Sequence, residues 1–304
     1  MTGILEGFAT IGVVIALGAL LAQLQVVDLS GALVLSKVSF FLASPALMLS
    51  LVSRTDVSHV LSRQLVATVA GVLVPLTIYV ACARWVWRRG LGHTVIGGLC
   101  SSYVNAGNLG LPVAAYALGD VTYVVPTLLL QLVVITPICV GLLDHDAARS
   151  RARTALLLPL ANPLTIAVVL GLLLSLTSTP IPGALAAPLD LVGAMAVPSM
   201  LVAYGISLRL GGGFGSGGST GEIALVSSLK LVVQPTVATL AGTLLGLSGT
   251  ALLAVAVLSA LPTAQNVFTH ATRYGRGQLL ARDTILVTTS LCVPLILVIV
   301  AVLG

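Results

Sequence analysis

The sequence predicts an all-α polytopic membrane protein built as two inverted halves of five transmembrane helices, and three observations predict it. Of 304 residues, 58% are hydrophobic and only 8% charged, with a mean hydropathy of +1.13; a soluble domain carries roughly 25% charged residues. Apolar runs recur at the roughly 20 to 25 residues that cross a bilayer, separated by short loops. Prolines and asparagines fall at matched places in the two halves. Together these exclude a soluble globular protein and leave little chain for a soluble domain.

In chain order, the apolar runs are 3–25, 29–53, 63–87, 92–118, 121–143, 155–177, 184–209, 222–247, 249–273 and 280–303, read here as spans 1 to 10. The opening Met1-Thr2-Gly3-Ile4-Leu5-Glu6 lacks the basic n-region of a cleavable signal peptide, so the first run is taken as a retained span. The halves are then 1–143 and 155–304, joined by a loop at 144–154. Loops after spans 3, 5, 7 and 9 hold Arg84, Arg88, Arg89, Arg149, Arg151, Arg153, Arg209, Arg273, Arg276 and Arg282, against only Arg54 and Arg63 on the other side. That bias places the loop 144–154 in the cytoplasm and both termini outside, in a cell membrane. The formal charge of +5 reports topology and contact with anionic lipid, and no nucleic-acid partner. Cys82, Cys100, Cys139 and Cys292 lie in apolar runs without CxxC spacing, which indicates neither a disulfide frame nor a metal site.

Five spans per half is an odd number, so the second half enters from the opposite side. Pro45 matches Pro198, Pro75 matches Pro235 and Pro137 matches Pro294, in spans 2 and 7, 3 and 8, 5 and 10. Setting Asn108 on Asn266 also sets Val104 on Pro262 and Tyr116 on Tyr274.

The densest polar text inside any span is Ser101-Ser102-Tyr103-Val104-Asn105-Ala106-Gly107-Asn108-Leu109-Gly110-Leu111-Pro112 in span 4. Gly107, Gly110 and Pro112 make a poor continuous helix, and Pro112 removes a backbone donor, so a break is expected here. Leu261-Pro262-Thr263-Ala264-Gln265-Asn266 in span 9 has the same character, with Pro262 as its breaker. Two interrupted helices at matched positions point to a midplane transport site lined by half-helix N-termini and unpaired backbone groups; the competing reading is a pair of kinked structural helices whose asparagines bond neighbouring spans. The candidate substrate contacts are Ser101, Tyr103, Asn105, Asn108, Gln265 and Asn266.

Asn105 to Pro112, Asn162-Pro163 opening span 6, Lys230 before Pro235, and Leu261 to Asn266 followed by Arg273-Tyr274-Gly275 resemble the auxin efflux carrier family, which includes plant auxin exporters and bacterial organic-acid permeases. The similarity spans nearly the whole chain. It implies a 5+5 inverted repeat with crossed broken helices 4 and 9, a scaffold of spans 1, 2, 6 and 7, and a mobile transport domain of spans 3 to 5 and 8 to 10. It further implies a homodimer joined through the scaffold, elevator-like alternating access and no cofactor. By resemblance, Asn105 meets a substrate carboxylate and Gln131 is a polar substrate contact. Val104 departs from the proline that family members often carry there, and the long loop of plant members between spans 5 and 6 is absent, which favours a short microbial permease.

Lys37 and Lys230 sit within snorkelling distance of the cytoplasmic ends of their spans and read as anchors, with attraction of anions the minor alternative. His270, one turn beyond Asn266 on the same face, either accepts a coupling proton or is bonded to a neighbour. Glu6 and Asp120 read as solvated, and the GxGxxG at Gly213 to Gly218 as a linker, since no βαβ unit precedes it. An intramembrane enzyme would need a nucleophile with a base, a carboxylate pair or a metal cluster, and none is evident. The expected function is secondary transport of small organic anions. A sodium- or proton-coupled symporter of the bile acid symporter type is the alternative, because asparagine and carbonyl oxygens also ligate cations.

Overall fold

A computed structural model describes residues 2–54, 63–146, 163–210 and 219–304. The expected cytoplasmic loop from 147 onward, the start of span 6 with Asn162, and the glycine-rich linker therefore lie outside the described residues. Those described are helical, with no strand and one isolated β-bridge. The helices are α1 (Thr2–Gln23), α2 (Leu29–Ser53), α3 (Arg63–Val86), α4 (Leu91–Ser102), α5 (106–117), α6 (Val121–Asp146), α7 (Pro163–Leu176), α8 (Gly183–Ala194), α9 (Ala196–Leu210), α10 (Thr220–Leu244), α11 (Gly249–Ser259), α12 (Gln265–Tyr274) and α13 (Gln278–Leu303). Six stretches among the described residues are long and apolar enough to cross a membrane: α2, α3, α6, Gly183–Ile206, α10 and α13. Large apolar side chains such as Leu17, Leu33, Leu73, Leu173, Leu240 and Val298 are exposed, an arrangement suited to lipid and unfavourable in water.

The chain divides into two compact units: Met1–Leu61, Gly107–Val125 and Leu160–Gly213 form the first, and Ser62–Ala106, Pro126–Pro159 and Phe214–Gly304 the second. In the first, α1 and α9 meet backbone to backbone. A Cβ on Gly18 would lie 2.3 Å from the Val202 carbonyl oxygen, and one on Gly205 would lie 2.0 Å from that of Ile15. Small residues on facing helices permit this approach, as is usual where lipid supplies no hydrophobic drive between helices. Asp28 caps α2; the Ser30 hydroxyl and the Gly31 amide donate to it and hold its carboxyl below the usual carboxylate range. Asp190 of α8 is paired with Arg54 at 3.0 Å and accepts from the Ser50 hydroxyl, both at the end of α2 or beyond it. Lys37 is exposed, which suits an anchor.

The second unit packs α3, α4, α6, α10, α12 and α13 around Tyr79, Ile96, Leu99, Cys100, Leu143, Val226, Val267 and Ala281. Tyr79 fits because position 97 is glycine: a Cβ there would stand 2.0 Å from the phenol oxygen.

Candidate functional site: two interrupted helices and a narrow cleft

Both expected interruptions are present in the second unit. After Ser102 the chain runs extended through Tyr103, Val104 and Asn105, and after Ser259 it leaves the helix until Gln265. The two segments pair antiparallel, Val104 opposite Thr263, through Asn105 N–H to the Pro262 carbonyl at 2.8 Å and Ala264 N–H to the Tyr103 carbonyl at 3.1 Å. The first break thus falls a turn earlier than the glycines suggest. Gly107 and Gly110 lie within a π-helical turn, Ala106–Gly110, and Pro112 precedes another, Val113–Ala117. The extended segment forms instead where a partner segment can bond it. Pro262 lies in the second break, as expected.

Breaking a helix in an apolar interior strands backbone carbonyl and amide groups, each costing about 1–3 kcal/mol if left unbonded. Side chains from three other helices meet them. Gln131, 2% exposed and in the π-helical Leu130–Ile135 of α6, donates to the Val104 carbonyl at 3.0 Å. Gln234 of α10 donates to the Ser102 carbonyl, and Lys230, one turn before it, donates its ammonium to the Ser259 carbonyl, both at 3.0 Å. Thr288 of α13 accepts from the Thr263 amide at 3.2 Å, while the Thr263 hydroxyl donates to the Cys100 carbonyl at 2.6 Å. Lys230 is fully buried, which corrects its reading as a snorkelling anchor: the ammonium points inward to a helix C-terminus, where the backbone dipole favours a cation.

Beside the breaks lies a narrow cleft of about 10 Å³, lined by Leu99, Tyr103, Thr136, Cys139, Val140, Leu143, Asn266, Val267 and His270. That is about the room of one water molecule. Tyr103, Asn266 and His270 therefore share one lining. Tyr103 and Thr136 bond through their hydroxyls at 3.0 Å, and Thr136 donates to the Gln131 carbonyl at 2.7 Å. Asn266 is exposed and stands in the first turn of α12, whose N-terminus carries a partial positive charge. Gln265, the first residue of that helix, is also exposed. Asn105 is buried within the break, and Ser101 is fully buried with its hydroxyl on the Gly98 carbonyl. Asn108, half-buried in the Ala106–Gly110 turn, falls in the stretch grouped with the first unit. One turn beyond the cleft, Asp144 accepts from the Tyr274 hydroxyl at 2.8 Å and Asp146 pairs with Arg276 at 2.9 Å, tying α6 to the end of α12 and the turn after it.

Sequence reasoning missed Gln234, Thr288, Thr136 and Glu222. Glu222 is 2% exposed, and its carboxylate accepts from the Tyr79 hydroxyl at 2.8 Å and meets Arg89 at 2.6 Å and His93 at 2.8 Å. A carboxylate three residues after a serine, Ser219-Thr220-Gly221-Glu222, carries the local signature of a capping box, but Ser219 makes no side-chain cap here.

Long apolar helices, two of the others interrupted inside one unit with their open backbone bonded from neighbouring helices, define a polytopic membrane protein of transporter type. The chain belongs to the membrane transport protein family of the auxin efflux carrier type, whose model matches residues 4–300. It is a membrane transporter and not an enzyme. It is also similar to a protein of Rhizobium meliloti (strain 1021) described as a putative malonate transporter, with 29% identity over 263 residues, covering 83% of this chain and 81% of that one.

Proposed function

We propose that the protein is a secondary carrier of small organic anions, with mono- and dicarboxylates as the substrate class. The observation that carries this reading is the pair of bonded breaks beside the exposed Asn266, which with the N-terminus of α12 offers a donor and partial positive charge to a carboxylate. The relative described as a malonate transporter supports the same class. The second unit is the carrier and the first the scaffold in an elevator-like cycle; the division into units follows spans 1, 2, 6 and 7 against the rest, apart from 107–125. The ten spans form an inverted repeat, supported by second half-helices that begin at Ala106 and Gln265, within one residue of the register that sets Asn108 on Asn266. A homodimer joined through the scaffold, by family likeness, completes the reading.

Cys139 tests the site directly, since it lines the cleft and is half-buried, whereas Cys100 and Cys292 are buried. With Cys82 replaced by serine, a permeant maleimide is expected to label Cys139, and a transported carboxylate at about ten times its Kd to slow labelling roughly tenfold by occupancy. Unchanged labelling in the presence of a carboxylate that the vesicles demonstrably transport would place the substrate elsewhere.

Both termini face outward and the 144–154 loop faces the cytoplasm, from the basic bias. Single cysteines at Gly304 and beside Arg151 are expected to react with an impermeant reagent in intact cells only at Gly304. The reverse pattern would invert the topology.

A further inference from the structure

Helix α3 ends in Arg84-Trp85-Val86-Trp87 and is followed by Arg88-Arg89, so that both tryptophans of the chain and three arginines fall in six residues. The helix closes through a π-helical turn, Cys82–Val86, in which the Trp87 amide donates to the Cys82 carbonyl at 3.0 Å; the Arg89 amide donates to the Ala83 carbonyl at 2.8 Å. Trp87 lies against Tyr79, with ring centroids 6.5 Å apart, and pins the turn to the second unit. Trp85 and Val86 are instead 80% and 70% exposed. The Arg84 guanidinium donates to the Arg89 carbonyl at 3.0 Å and is thereby held across the turn. Arg88 takes a left-handed backbone conformation, with φ 51°, where a helix usually places glycine because a Cβ is unfavourable there.

The charges around this turn are unequally shared. Arg89 is paired with Glu222 at 2.6 Å, Arg276 with Asp146 at 2.9 Å and Arg282 with Asp283 at 2.8 Å. Arg84 and Arg88 are exposed and have no carboxylate partner among the described residues. Two unpaired guanidinium groups therefore flank an exposed indole at the end of a helix long and apolar enough to span a bilayer.

We propose that Arg84, Trp85 and Arg88 form a binding site for the phosphate headgroup of an anionic phospholipid. A guanidinium presents a planar fork of donors that fits two phosphate oxygens at once, and Arg84 spends only one side of its fork on the Arg89 carbonyl. Tryptophan favours the bilayer interface, where its ring meets the upper acyl chain and its N–H meets the polar region. A lipid fits this surface better than a soluble anion does, because Trp85 and Val86 expose apolar area beside the charges, which water would leave uncovered and an acyl chain covers. The basic bias assigns this end of α3 to the cytoplasmic side, whose leaflet carries anionic lipid. The inference does not depend on the transport reading.

The tryptophans supply the test. Trp87→Phe leaves Trp85 as the single indole, and bromine on a lipid acyl chain quenches its fluorescence on contact. The full chain is reconstituted in phosphatidylcholine vesicles in which a fixed fraction of the lipid is brominated, either phosphatidylglycerol or phosphatidylcholine. At about fivefold in affinity for each arginine near an anionic headgroup, quenching should show a preference for phosphatidylglycerol of about 25-fold. That preference should fall to about fivefold in Arg88→Gln and approach parity when Arg84→Gln is added. Equal quenching by the two brominated lipids, or a preference unchanged in the double variant, would overturn the site. So would loss of the preference on adding inorganic phosphate, which would make the ligand a soluble anion. Arg84→Gln also disturbs the bond to the Arg89 carbonyl, so if the double variant does not fold, Arg88→Gln alone decides: an unchanged preference there overturns the proposal.

Discussion

Asn266→Ala is expected to abolish measurable transport and to leave the thermal midpoint close to that of the wild type. Asn266 is exposed to the cleft and sits in the first turn of α12, so its removal strands no buried group in the resting protein. A hydrogen bond to a charged group is worth about 1.5–3 kcal/mol, which by itself lowers carboxylate affinity by about 10- to 100-fold. Asn105→Ala should abolish transport too, but with a second signature. Asn105 is 4% exposed and lies inside the paired segment, so truncation there is expected to cost about 1–3 kcal/mol of stability as well. Flux at matched protein level, together with melting in detergent, separates the two. Wild-type flux in both variants would assign the asparagines to structure alone.

Export of an organic monoanion is expected to be electrogenic and independent of sodium and proton gradients. The paired breaks carry Asn, Gln, Ser and Thr but no carboxylate, so the usual group that takes up a coupling cation is missing from them. A buried amine is already in place, because Lys230 donates to the Ser259 carbonyl at the end of α11. One charge moving through 100 mV is worth roughly 2.3 kcal/mol, about fiftyfold in concentration, and an inside-negative potential drives an anion outward. Flux should therefore follow a potassium-diffusion potential with sodium and pH gradients absent. Lys230→Met provides the companion measurement. The variant leaves the Ser259 carbonyl unbonded at a cost of about 1–3 kcal/mol of stability, so flux is compared at matched folded protein and should fall about tenfold or more. Accumulation driven by a sodium or pH gradient, with no response to potential, would overturn the uncoupled mechanism and make His270, in the cleft, the first residue to replace.

The helices and their interruptions were legible because glycine, proline and asparagine act locally: a lost donor or a poor helix former shows in the chain where it acts. The displacement of the first break from Gly107 and Pro112 to Tyr103–Asn105 was not legible, since it depends on a partner segment about 160 residues away supplying hydrogen bonds. Tyr103 and Asn266 could be grouped through the matched breaks and His270 through its face of the helix, but the cleft they share was not legible, because it is made by the packing of three helices. Lys230 was misread, and Glu222 was not singled out. Depth along a span suggests that a lysine will reach the surface, and Ser219-Thr220-Gly221-Glu222 suggests that a glutamate will cap its own helix. Both side chains instead turn to partners on other helices, and tertiary contacts override the local preference.

Contacts from α10 at both ends of α4, Glu222 on His93 and Gln234 on the Ser102 carbonyl, also fix how many residues that helix can contain. Each residue turns an α-helix by about 100° and lengthens it by about 1.5 Å. One residue inserted between His93 and Ser102 would carry His93 away from Glu222 or the last carbonyl away from Gln234, and would move Gly97 out from under the Tyr79 ring. Substitutions along this stretch can be accommodated one by one, but a change in its length cannot. Insertions and deletions belong in the loops, and the twelve residues from Leu91 to Ser102 act as a spacer of set length between the layer of charges at Glu222 and the pairing of the two breaks.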